Sequence, residues 1–301
     1  MDVGLLLPMT ESDGPGAVHW PRVRTLARHA EAGGIDSLWV ADHLIFRGKG
    51  EPDDGPHEAV ALLTAVAATT ERATVGSIVF ATSFRNPAVF AKAVATVDHI
   101  SGGRLVLGLG CGWHEPEYAA FGIPFHHRVG RFEESLDVML PLLRGDRVTH
   151  TGRWVQADDA VLIPPPLRPL GQPGAMPILI AAKGERMLSL VARHADLWNT
   201  AWYGLPDARF ASRLTDVRAA CERIGRDPAT LGITVGLTVD ASAEGSRFGA
   251  STPLAGDADD LARGFDAWRD AGAGHLIITA LPAAEATFDL VLAGLRLHRG
   301  G

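Results

Sequence analysis

Residues 73–122 limit what this chain can fold into more than any other stretch. Thr74-Val75-Gly76-Ser77-Ile78-Val79-Phe80 is an apolar, β-branched run. A helical segment follows, with Asn86 as its cap and Pro87 in the first turn, and it closes at Ser101-Gly102-Gly103. A second apolar run, Arg104 to Gly110, leads into Cys111-Gly112-Trp113-His114-Glu115. Each boundary carries the residue types that start or stop such elements. Two strands joined by one helix lie parallel and need a right-handed crossover. Gly108, Gly110 and Gly112 gather at and just past the carboxyl end of the second strand. Parallel α/β folds bind ligands at that end, and glycine lets the backbone approach a ligand closely.

The rest of the chain repeats the rhythm. Strands are predicted over Val3–Leu7, Ser37–Val40, Val75–Phe80, Leu105–Leu109, Ile178–Ala181, Leu197–Asn199, Ile233–Val239 and Leu276–Thr279, with helices between them. Residues 145–177 break it with Pro164-Pro165-Pro166, Pro169 and Pro173. Within them Arg147–His150 and Arg153–Val155 flank Thr151-Gly152, a hairpin signal. The prediction is an α/β fold, a (β/α)8 TIM barrel with an insertion after the fourth βα unit, formed as a single domain over residues 1–301. A doubly wound sheet also holds eight strands, but here the alternation continues past the insertion without restarting.

Composition narrows the function. The 301 residues carry a net charge of −7, and the 28 Lys and Arg are spread along the chain, which argues against a nucleic-acid partner. Two cysteines, Cys111 and Cys221, make neither a disulfide framework nor a zinc set. Met1-Asp2-Val3-Gly4 enters an apolar run directly, without a basic leader, and no apolar run approaches a membrane span. A cytoplasmic protein acting on a small molecule, with no membrane partner, is expected. His114, Glu115 and Glu117 do not have the His-Glu-x-x-His spacing, so no metal is expected. His126-His127 reads as a solvated turn.

Several motifs, in order, resemble the luciferase-like flavin and deazaflavin oxidoreductases. They are Ser37-Leu38-Trp39-Val40-Ala41-Asp42-His43, Phe84-Arg85-Asn86-Pro87-Ala88, Ile100-Ser101-Gly102-Gly103-Arg104 with Gly108-Leu109-Gly110-Cys111-Gly112-Trp113, and Ala181-Ala182-Lys183-Gly184 with Ala195-Asp196-Leu197-Trp198-Asn199. The resemblance covers nearly the whole chain and is greatest to the branch using the deazaflavin coenzyme F420. It implies a homodimer and hydride transfer between F420 and a small organic substrate. The alternative is an FMN-dependent monooxygenase. A barrel that binds cofactor without turnover is a third reading. A Rossmann dehydrogenase is disfavoured, because Trp113 stands where the third glycine belongs.

The resemblance also implies a site. His43 is placed beside the reacting face of the ring as the catalytic residue, with Asp42 next to it, and its side chain titrates near neutrality. Ile78-Val79 falls where the family has a bulge with a non-proline cis peptide. Asp42, Ile78, Val79, Gly110, Cys111, Gly112, Lys183 and Gly184 are expected to hold the cofactor, with its phosphate near Cys111-Gly112 and Lys183-Gly184, where free backbone N–H groups bind anions. Cys111 has no His and carboxylate placed beside it by motif and is not read as a nucleophile. Trp113 replaces the carboxylate of the sugar-phosphate dehydrogenases, which argues against a sugar-phosphate substrate; it either stacks on substrate or packs. Arg47, Lys49 and Arg85 near the mouth would favour F420, whose tail is a polyglutamate.

Overall fold

The computed structural model describes residues 1–14, 16–48, 50, 52–242 and 252–300. The strands are β1 (Asp2–Leu6), β2 (Ser37–Val40), β3 (Thr74–Ser77), its continuation β4 (Phe80–Ala81), β5 (Leu105–Gly110), β6 (Val148–Thr151), β7 (Gln156–Ala160), β8 (Ile178–Ala181), β9 (Leu197–Tyr203), β10 (Gly232–Asp240) and β11 (His275–Leu281). Eight of them pair in parallel in the order β1-β2-β3-β5-β8-β9-β10-β11, and β11 pairs back onto β1. The sheet is therefore a closed barrel. The helices are α1 (Trp20–Ala32), α2 (Ala59–Thr69), α3 (Pro87–Ile100), α4 (Glu115–Ala120), α5 (Arg128–Arg144), α6 (Glu185–His194), α7 (Ala208–Glu222), α8 (Ala258–Asp270) and α9 (Glu285–Gly300). The antiparallel hairpin β6–β7 sits between α5 and β8, where the insertion is predicted.

Side chains alternate across each strand. The outward set, including Val3, Leu5, Leu38, Val40 and Val75, packs under the helices in the main core. The inward set forms a smaller cluster of Leu6, Trp39, Val106, Leu179 and Ile277. Trp39 is fully buried at mid-height, and its strand neighbours make room for it. A Cβ on Gly4 would lie 2.7 Å from Trp39 Nε1, and one on Gly76 would lie 2.5 Å from Trp39 Cζ3. Trp39 Nε1 donates to Ser37 Oγ at 2.8 Å, and that hydroxyl meets His275 Nε2 at 2.7 Å. Burial pushes the His275 imidazole down to about 4.

The strand predicted over Val75–Phe80 is broken at Ile78-Val79, whose peptide bond is cis, as the family resemblance implies, and both flanking pieces pair with β5. Two features differ from the sequence prediction. The second hairpin strand starts at Gln156, not Arg153. Glu134 explains this, since its carboxylate accepts the backbone N–H groups of Arg153, Trp154 and Val155 at 2.8–2.9 Å and so takes them out of the ladder. The short helix α4 was not predicted. His127 lies in an exposed turn, as read from the sequence, takes the N-cap position of α5 with φ of 60°, and stacks on Trp154 at 5.6 Å between ring centres.

Candidate active site

The chain brings the predicted site residues to one rim. β2, β3, β5 and β8 are consecutive in the barrel, and their carboxyl ends lead to His43, Ile78-Val79, Cys111-Gly112 and Lys183-Gly184 respectively. Leu109 is in register with Ile180, so Cys111-Gly112 and Lys183-Gly184 leave the barrel side by side. Ile78 and Val79 are half-buried and pack with Trp202 over the inward apolar cluster.

The glycines of β5 answer packing demands. A Cβ on Gly108 would collide with the Ser77 carbonyl, and one on Gly110 would lie 2.6 Å from Val79 Cγ2. The break in β3 thus occupies the space that side chains on β5 would fill. Gly112 has φ of +71° and its Cα faces the ring of Tyr118, which is fully buried and donates its hydroxyl to the Cys111 carbonyl at 3.0 Å. Burial pushes the Cys111 thiol up, away from thiolate chemistry.

Tyr118 anchors α4, and α4 carries the residue that meets His43. Glu117 is 1% exposed, and its carboxylate oxygens lie 3.1 and 3.2 Å from His43 Nδ1. Glu117 Oε2 also accepts the Leu44 N–H at 2.8 Å. Around His43 stand Phe46, Trp113 and His114, with ring centres 4.4, 5.6 and 6.4 Å away. Trp113 is 65% exposed, so it stands at the rim and does not pack into the core. Burial lowers the His114 pKa, and its Nε2 accepts the Arg47 N–H at 3.2 Å.

Asp42 is placed differently from its neighbour. Its buried carboxylate accepts from Arg85 at 2.6 and 2.9 Å and from the Ala81 N–H at 2.9 Å. It braces the turn after β4, and both of its oxygens are engaged by protein donors. Arg85 is likewise engaged by Asp42 and Glu58 and packs 5.4 Å from the Phe90 ring centre. Although burial opposes its charge, the two carboxylates hold its pKa above the usual range. Arg47 pairs with Asp53, and Lys49 lies outside the described residues. The cations that do gather at the rim are Lys183, Arg209 and Arg213. Burial, then Arg213 and Arg209, lower the Lys183 pKa. Arg213 donates to Thr200 Oγ1 and the Tyr203 hydroxyl, both at 3.0 Å, and Arg209 lies 4.0 Å from the Tyr203 ring centre. Gly184, with φ of +76° and open space about its Cα, caps the N-terminus of α6 beside them.

Inside the rim, Thr238 and Thr279 are in register and on the face of Ile277. Both are buried, and neither hydroxyl has a hydrogen-bond partner. A half-open apolar floor, orphaned inward hydroxyls and a cationic corner fit a planar, polar-edged ring system with an anionic tail. A cavity of about 750 Å³ lies at the opposite end of the barrel among Asp2, Asp36, Thr234 and His275. The strand ends there are tied by Asp36 to the Val3 N–H and Arg299, so that end reads as structural. Among the described residues no group of three His, Cys, Asp or Glu is placed to hold a metal, and no helix is long and apolar enough to cross a membrane.

Sequence reasoning weighed Glu117 only as a metal ligand and did not single out Arg209 or Arg213. The signal for Glu117 was a carboxylate in the first turn after a ligand-side glycine run; for the arginines it was their i, i+4 spacing on one helix.

Comparison with known proteins agrees with the fold. The family model described as luciferase-like monooxygenase matches residues 1–250. A phthiodiolone/phenolphthiodiolone dimycocerosates ketoreductase of Mycobacterium sp. (strain JLS) is 32% identical over 234 residues, covering 70% of this chain and 60% of the relative. An F420-dependent glucose-6-phosphate dehydrogenase of Amycolatopsis mediterranei (strain U-32) is 35% identical over 175 residues, covering 56% of this chain and 50% of the relative. The matches thus span about half to three fifths of the length of these two relatives. The solved structure of an F420-dependent secondary alcohol dehydrogenase in complex with an F420-acetone adduct has the same fold, with a TM-score of 0.79, 17% identity and 99% of each chain covered.

Proposed function

Because the chain belongs to the luciferase-like monooxygenase family, we propose that it is an oxidoreductase using coenzyme F420, with a small alcohol or carbonyl compound as substrate. The observation that carries the proposal is the rim itself, where a histidine backed by a buried carboxylate faces the same opening as Ile78-Val79 and the Lys183 corner. The F420-dependent relative adds support. Bound F420 would supply the hydride acceptor or donor. His43 would take the hydroxyl proton when an alcohol is oxidised and return it when a carbonyl is reduced, through Nε2, since Nδ1 faces Glu117. Ile78 and Val79 would form the apolar wall under the ring. Gly110, Cys111 and Gly112 would line its side. Lys183 and Gly184, with Arg209 and Arg213, would hold phosphate and tail carboxylates. Exposed Trp113 would touch substrate, and no carboxylate stands at that position for a sugar-phosphate type of site.

The working form would be a cytosolic homodimer. Val89 on α3 is 67% exposed and Ile163 is 74% exposed. Lys92, one turn after Val89, donates to the Ile163 carbonyl.

Anaerobic titration with F420 and with FMN tests the assignment. Tight binding of F420 alone is expected. His43→Ala should then lower turnover by about 10²–10⁴-fold, the range for one general acid or base, with F420 affinity little changed. Tight binding of FMN alone, or full turnover in His43→Ala, would overturn it.

A further inference from the structure

We propose that Glu117 is the positioning residue of this site, fixing His43 in the Nδ1–H form so that Nε2 alone is presented to the opening. The proposal rests on the hydride-transfer reading above, but the geometry behind it does not.

Glu117 is buried, has no Lys or Arg partner among the described residues, and spends its oxygens on two donors, the Leu44 N–H and His43 Nδ1. A carboxylate only accepts, so the hydrogen on this contact belongs to Nδ1. Nε2 is then an acceptor in the resting state. In alcohol oxidation bound F420 would accept the hydride from carbon, and Nε2 would take the hydroxyl proton. The resulting imidazolium has one counter-charge at hydrogen-bond distance, Glu117. In the reverse direction the same proton returns to the carbonyl oxygen. The other charged or titratable groups around His43 do not compete. His114 has its Nε2 occupied by the Arg47 N–H and its pKa lowered by burial, while the Arg47 guanidinium is turned to Asp53. Asp42, adjacent in sequence, is committed to Arg85.

Glu117 is held firmly enough for this role. It sits one residue before Tyr118, whose ring fills the space that a side chain at Gly112 would need and whose hydroxyl bonds the Cys111 carbonyl. The turn of β5 into α4 and the end of β2 are therefore locked together through one carboxylate.

Glu117→Gln makes a distinctive prediction. The fixed Leu44 N–H demands the amide oxygen, so the amide NH₂ faces Nδ1 and Nδ1 must accept. His43 then carries its hydrogen on Nε2, the opposite tautomer. Two-bond ¹H–¹⁵N spectra of the ligand-free protein read this directly. Nδ1–H in the native chain and Nε2–H in Glu117→Gln are expected. Turnover should fall about 10²-fold or more, and the limb of the pH profile governed by His43 should move to lower pH by about one unit, since the counter-charge is gone. F420 affinity should change less than threefold. The same tautomer in both proteins, or an unmoved pH limb, overturns the proposal. If the variant does not fold, the native spectrum decides alone, because neutral His43 with its hydrogen on Nε2 contradicts it. Nδ1–H in a protein that binds no F420 would refute the proposed function while leaving the Glu117 contact standing.

Discussion

Replacing Arg85 with methionine should unfold this protein far more readily than a surface ion pair would suggest. The Asp42 side chain is 0% exposed and that of Arg85 18%. Two charge-assisted bonds, of 2.6 and 2.9 Å, join them. At about 1.5–3 kcal/mol each, their removal alone accounts for about 3–6 kcal/mol, overlapping the loss of about 3–5 kcal/mol known for breaking one side of a buried pair. Methionine keeps the contact with Phe80 and Phe90 but leaves the carboxylate with only the Ala81 N–H. Burial raises the Asp42 pKa, and without Arg85 nothing of comparable size opposes it. A carboxyl whose folded pKa lies above its unfolded value of about 3.9 destabilises the fold as pH rises through that window and ceases to do so once protonated. The deficit of Arg85→Met should therefore be full at pH 7 and shrink toward pH 4. Urea denaturation at both pH values measures it. Adding Asp42→Asn should recover most of the loss. A deficit under about 1 kcal/mol at pH 7, the range of exposed pairs, would refute the reasoning.

Two more perturbations probe the barrel. Gly108→Ala puts a methyl group into the Ser77 carbonyl across the break in β3, and should cost about 3 kcal/mol, seen as a lowered melting temperature. His275, pushed down to about 4 by burial, binds its proton more readily when unfolded, near 6.5. Stability from this group is present above 6.5 and is lost as pH falls toward 4, with a slope of up to about 1.4 kcal/mol per pH unit. In His275→Gln, acid titration of stability should lack that segment.

The barrel was legible because each strand and helix carries its own period and its own stop signals. Asn86-Pro87 and Ser101-Gly102-Gly103 bound α3 within a residue of their predicted places. What escaped the sequence was pairing between distant segments. Nothing local to Arg153–Val155 says that Glu134, about twenty residues earlier, takes their N–H groups. Asp42 and His43 look alike as polar residues ending a strand, yet one is braced by Arg85 and the other faces the opening. The Gly108-x-Gly110-x-Gly112 run was read for ligand approach, whereas Ser77, Val79 and Tyr118 are what press against it. Glu117 became a partner of His43 only when α4 folded back over β2.

The indole of Trp39 turns the barrel into a vessel with a single door. Leu6, Val106, Leu179 and Ile277 close around it, so no path runs along the axis from the rim to the cavity at His275. Molecules at the rim must come and go by the same side. Whatever lies deepest, against Ile78 and Val79, has to arrive first and depart last. Steady-state kinetics should accordingly be ordered, with the ring-bearing partner leading and the smaller reactant exchanging above it.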